Sequence, residues 1–246
     1  MKNTTILWAI VAFSMSFVLA GPNLTPDVRN FAIEIGYQAQ QHEIEDGCIS
    51  PGTHNVLRFD FLSKNIGDAD FVVGRPVDRP DIFYFDPGHQ HYHMKQFNQF
   101  KLYDTTGNLI IPSTKPGFCL DDSEQVLPNA GPAKFPSSCL ATEVMGISAG
   151  WADLYRSDLP CQFLVIDGVP DGDYTLVVTT NAPQAVPEDT FADNTISRGL
   201  HIQRNTVQQL ENPSAGPNSR PLSVTVTGSI TNNFNSITSS SLGLFT

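Results

Sequence analysis

The sequence predicts an all-β protein, a β-sandwich with long loops and few short helices, and three observations carry that expectation. Apolar residues recur at alternate positions in several short segments, the period of a strand with one covered face. Glycine and proline, 18 of each, punctuate the chain between those segments. Stretches with helical spacing are few, a pattern that favours strands packed as two layers over a helical bundle.

The elements follow in order. Residues 28–41 are the one helix candidate. Residues 56–62 alternate, with Leu57, Phe59 and Phe61 on one side and Val56, Arg58 and Asp60 on the other, as in a half-buried strand. Residues 82–85 form a short aromatic run, and residues 89–103 alternate again before the turn chemistry of Asp104-Thr-Thr-Gly-Asn108 and the apolar Leu109-Ile-Ile, which predicts a hairpin. Residues 162–166 and 174–179 flank Val169-Pro-Asp-Gly-Asp173, where Gly172 occupies a turn position expected to need a positive φ. Residues 197–203 and 222–227 are two further strand candidates. Gly146 and Gly150 also read as turn positions. No internal repeat is visible.

The ends carry a different kind of information. Lys2, an apolar run at 6–20 and the small Ala20 have the order of a secretory signal over residues 1–20. The run falls short of the roughly 20 apolar residues that a membrane helix needs, and no second such run follows. The expected product is a secreted, extracellular protein with no membrane segment after cleavage. Past Glu211 the only charged residue is Arg220, and 212–246 reads as a Ser/Thr/Asn-rich tail.

Composition narrows the partners. A net charge of −11 argues against nucleic acid and would attract a basic substrate. Four cysteines, Cys48, Cys119, Cys139 and Cys161, form no C-x-x-C pair and in an exported chain predict two disulfides. Asn23-Leu24-Thr25 is an acceptor sequence for N-linked sugar.

His89-Gln-His91-Tyr-His93 is the most informative segment. On a strand, residues two apart share a face, so three imidazoles would point one way and could converge on a metal ion. Half of the six histidines stand at these alternate positions, which makes a chance gathering a weak account. Three nitrogen ligands leave open coordination positions, and imidazole suits copper and zinc alike. His42, His54 and His201 stand alone in the sequence and read as surface or satisfied core residues.

With Met94, Phe97, Phe100 and Leu102 after it, the triplet resembles the copper-binding segment of the lysyl oxidase family. Lys115-Pro-Gly-Phe-Cys-Leu-Asp121 is similar to the family segment whose lysine becomes half of a cofactor, and Gly146-Ile-Ser-Ala-Gly-Trp-Ala-Asp-Leu-Tyr155 to the segment carrying the cofactor tyrosine, followed by Cys161-Gln162. Asp167 to Tyr174, Glu188 to Asn194 and the early Leu57-Arg-Phe59 with Asn65-Ile-Gly67 fall in family order. The likeness runs from about Cys48 to His201, within a catalytic domain expected at 21–211. Gly88 and Trp151 depart from the animal pattern, standing where animal members carry cysteine.

The resemblance implies copper at His89, His91 and His93, disulfides Cys48–Cys161 and Cys119–Cys139, and a lysine tyrosylquinone made from Tyr155 and Lys115 by copper-assisted oxidation of the phenol and addition of the amine. The implied reaction takes a primary amine, peptidyl lysine or a small amine or polyamine, and O2 to an aldehyde, ammonia and hydrogen peroxide. Its general base would be Asp153, two residues before Tyr155, with Asp158 or Asp121 as substitutes. Lys115 must be neutral to add, so burial and a nearby cation should lower its pKa. The alternative is a secreted metal-binding protein with the same fold and histidines but no quinone, and behind it a matrix module whose metal is structural. The sequence leaves the oligomeric state open.

Overall fold

The computed structural model describes residues 21–210 except 113, 114, 116 and 137, so the expected signal segment, tail and strand at 222–227 lie outside the described residues. The chain runs through β1 (Leu24–Gln38), a short helix α1 (Gln41–Glu45), β2 (Thr53–Asn65), β3 (Phe71–Gly74), a 3-10 turn (Pro76–Asp78), β4 (Phe83–Asp86), β5 (His91–Lys95), β6 (Gln99–Asp104) and β7 (Leu109–Ile111). It continues through β8 (Gly117–Phe118), β9 (Glu124–Gln125), β10 (Met145–Ile147), β11 (Trp151–Tyr155), β12 (Phe163–Val165), β13 (Gly172–Thr179), β14 (Thr195–Gln203) and β15 (Thr206–Gln209).

Two five-stranded antiparallel sheets form the layers, one ordered β1-β2-β11-β9 with β12 also on β2, the other β15-β14-β13-β6-β7. Phe59 and Phe61 of β2 meet Phe100 of β6 edge-on, with ring centroids 5.2 and 5.0 Å apart, and all three rings are fully buried. Each such ring contributes about 1.5–3 kcal/mol of apolar burial, so this aromatic seam sets how the layers stack. The turn at 104–108 joins β6 to β7 as expected.

Three local expectations are corrected. The helix expected at 28–41 is strand β1, bulged where Asn30 and Gly36 take positive φ (56° and 73°) and the register slips against β2. The bulge at Asn30 sets the buried Val28 and Phe31 three positions apart, so a period of two reads locally as helical spacing. Strand β2 is buried on both faces: Arg58 lies over the Tyr37 and Phe163 rings and pairs with Glu34 at 2.7 Å, while Asp60 accepts from Asn30 and from the Ser157 backbone. Gly172 opens β13 without a positive φ; Gly168, at +71°, makes the turn that carries the chain from one sheet to the other.

At the start of β1, Glu188 accepts from the Leu24 backbone and from the side-chain amides of Asn181 and Asn194, tying a distal loop to the first strand. Asn23 is half-buried there, and its side-chain nitrogen, the atom that would carry a sugar, donates to Asp193 at 2.9 Å.

Candidate active site

The edge of β2 opposite β1 is shared: β11 pairs with Phe61–Lys64 and β12 with Val56–Arg58. Between them the chain leaves the sheet at Arg156 and returns at Phe163, and Cys161 in that excursion is bonded to Cys48. Tyr155 is therefore the last paired residue of β11, held where the sheet opens. The small sheet β4-β5-β8 lies alongside, and its β8 leads into Cys119, bonded to Cys139. These are the two pairings the resemblance implied.

His91 and His93 share one face of β5, but His89 does not belong to that strand. It sits in the turn before β5, where Asp86 Oδ1 accepts from the Gly88 and His89 backbone nitrogens and Gln90 takes a positive φ of 61°. The turn folds His89 back over the strand, and the three rings still converge. His91 Nε2 lies 2.9 Å and His89 Nδ1 3.4 Å from His93 Nε2. Two nitrogens bound to one ion at about 2.0–2.1 Å, at angles between square and tetrahedral, lie about 2.8–3.4 Å apart, so both separations suit one ion. Burial lowers the pKa of both His91 and His93, the latter to about 4, so both are neutral near neutral pH as ligands must be.

The groups that orient these imidazoles are not marked in the sequence. Asp86 Oδ2 and the Tyr84 hydroxyl both stand 3.3 Å from His93 Nδ1, which orients the ring and leaves Nε2 toward the other imidazoles. Asp46 Oδ2 lies 3.3 Å from His89 Nε2, and the His42 ring is 6.3 Å from that of His89, so His42 is not isolated in space. Gly117 is required for close approach: a Cβ there would meet His93 at 2.6 Å and the Tyr84 hydroxyl at 2.4 Å. Spacing could have flagged Asp86, three residues before His89; Asp46 reaches the site only through the fold. His54 and His201 are satisfied elsewhere by Asp167 and Asp173.

His89, His91, His93, Lys115, Asp153 and Tyr155 line one cleft of about 280 Å³. Lys115 is half-buried; its Nζ stands 5.1 Å from the centre of the Tyr155 ring and 5.4 Å from that of Phe118, and donates to the Pro160 carbonyl at 3.3 Å. Burial among these rings lowers its pKa to about 8, against the pull of Asp153 and other carboxylates. The Tyr155 hydroxyl donates to the Cys119 carbonyl and accepts from the Cys119 nitrogen at 2.7 Å, and burial holds its pKa well above the usual tyrosine value. Asp153 is buried beside it, its pKa pushed well above the carboxylate range by burial and then by Asp121.

The alternatives to Asp153 separate in space. Asp121 lines the cleft, whereas Asp158 is exposed and paired with Arg156 at 2.8 Å.

The family profile of lysyl oxidases matches residues 33–211 of this chain. The chain belongs to the lysyl oxidase family. It is 32% identical to lysyl oxidase homolog 2 of Rattus norvegicus over 164 residues, covering 63% of this chain and 20% of the relative, and 33% identical to lysyl oxidase homolog 1 of Homo sapiens over 148 residues, covering 59% and 24%. The match thus spans about a fifth to a quarter of the lengths of these relatives. Within this lysyl oxidase-family chain, His89, His91 and His93 bring ligand nitrogens within 4.8 Å of one another, a set that could hold one metal ion.

Proposed function

We propose that this chain is a secreted copper amine oxidase that converts primary amines and O2 to aldehyde, ammonia and hydrogen peroxide. The observation that carries the reading is the placement of the Lys115 amine 5.1 Å from the centre of the Tyr155 ring, in the cleft lined by three converging imidazoles. His89, His91 and His93 would hold copper, and Lys115 and Tyr155 would supply the two halves of a lysine tyrosylquinone within a catalytic domain at 21–211. When present, that group supplies the electron sink that ordinary side chains lack.

This chain's own residues do the rest. Lys115, depressed to about 8, presents a usable fraction of neutral amine near neutral pH, and the Pro160 carbonyl, with Phe118 and Tyr155, positions it. Leu154, Leu159 and Pro160 add apolar surface to the cleft lining. Asp153 would take the α-proton of the substrate: burial raises its proton affinity toward the operating pH, where a general base is most effective. The disulfides tie down the segments that carry Lys115 and Pro160, and with the expected signal at 1–20 they support an extracellular location.

The test is peroxide release. Copper-loaded, aerated protein is expected to release peroxide from benzylamine, and zinc-loaded or Tyr155→Phe protein to release none. The rate at which activity first develops on copper loading should rise as pH passes upward through about 8, where Lys115 loses its proton. Equal peroxide from the Tyr155→Phe variant would refute the assignment.

A further inference from the structure

Asp121, just past β8, lines the same cleft as Asp153, and one oxygen of each is buried with no hydrogen-bond partner among the described residues. The adjacent Asp122 shows what a structural carboxylate does here: it accepts from the backbone nitrogens of Lys134, Phe135 and Ser148 and from the Ser148 hydroxyl. Leaving a buried acceptor unpaired costs about 1–3 kcal/mol, more for a charged one. Two such carboxylates on the lining of one cleft are better accounted for by a ligand than by the fold.

The chemistry of an amine substrate asks for two proton acceptors. With a pKa near about 10.4, an alkylamine arrives as an ammonium ion and has no lone pair with which to attack a carbonyl until one proton leaves the nitrogen. Later a second proton leaves the α-carbon. Asp153 would be blocked for the second if it still held the first.

We propose that Asp121 is the ammonium receptor of this cleft, binding the incoming substrate cation and taking its nitrogen proton, so that Asp153 stays free for the carbon proton. The step is R–NH3+ plus the Asp121 carboxylate giving R–NH2 plus the Asp121 carboxylic acid: an N–H bond breaks, an O–H bond forms, and no electrons change hands. The inference rests on the amine-oxidase reading and deepens it. The charged and polar groups facing Asp121 suit the role: Ser123 hydrogen-bonds to it from its own segment, Asp122 is its neighbour there, and Asp153 faces it from β11 with Lys115 beyond. Burial, with Asp122 beside it, raises the proton affinity of Asp121 above that of an ordinary carboxylate, which favours taking a proton from an ammonium ion.

The experiment uses the copper-loaded, aerated full chain with Asp121→Asn and Asp121→Glu, and two probes. Benzylamine is a cation at neutral pH; phenylhydrazine is uncharged there and reports a reactive carbonyl without needing a receptor. Asp121→Asn is expected to lose roughly 100-fold in kcat/KM for benzylamine at neutral pH, the loss shrinking near about pH 10 as free amine appears, with phenylhydrazine labelling unchanged. Asp121→Glu should stay within about tenfold of the wild type. Unchanged benzylamine turnover in Asp121→Asn with labelling intact overturns the inference alone, as does a parallel loss of labelling, which would place Asp121 in forming the carbonyl. Should Asp121→Asn not fold, a roughly 100-fold loss in labelled Asp121→Glu overturns it. Wild-type protein that takes up no phenylhydrazine defeats the amine-oxidase reading first, and this inference with it.

Discussion

Replacing His91 by alanine is expected to abolish copper binding and amine oxidation while leaving the fold standing. His91 is half-buried on β5 and contacts the other two rings of its cluster, whereas the strand is held by its pairing with β4 and β8 and by the buried Met94. Loss of a group that only hydrogen-bonds to a ligand weakens metal sites about 10–100-fold, so loss of one of three ligands should exceed that range. Equilibrium dialysis against copper and urea unfolding of the metal-free protein check the two halves. The unfolding free energy of the metal-free variant should match that of the metal-free parent to within about 1 kcal/mol, as for a substitution outside the core. A protein that unfolds on losing His91, with no amine oxidation to lose, would belong instead to a structural metal module.

Asp153→Asn is expected to lower kcat/KM for primary amines by about 10²–10⁴-fold, the usual contribution of a positioned general base. The carboxylate is buried, next to Tyr155 on β11 and opposite Asp121, and one of its oxygens has no partner among the described residues. Its folded pKa lies above the ordinary carboxylate value, so the basic form gains population only as pH rises through that raised value. The parent's turnover should climb along this acid limb and the variant's should not. Substrate deuterated at the α-carbon adds a second readout, since slowing the proton step should enlarge the isotope effect in the variant. Full turnover by Asp153→Asn would move the base to another group.

Much of this site could be read along the chain because its parts are local patterns. Three histidines within five residues announce a metal whether or not they share one strand, which is why the cluster survives the finding that His89 sits in a turn. The disulfide pairing came only with the family resemblance, since spacing alone leaves it open, and both bonds form as implied. What stayed hidden depends on contacts distant in sequence. Asp46 meets His89 across more than forty positions because α1 and the turn before β5 pack together, and no periodicity encodes that. The bulges of β1 defeated the pattern itself: one inserted residue at Asn30 shifts the phase of the apolar positions and imitates a helix. Strand β2 reads as half-buried because Arg58 and Asp60 are charged, yet an ion pair, hydrogen bonds and two aromatic rings cover them.

The most direct measurement is a tryptic mass map of the copper-loaded, aerated protein. The peptides holding Lys115 and Tyr155 are expected as one species joined through the lysine nitrogen and the oxidised ring. Quantitative recovery of both as separate, unmodified peptides would contradict the account.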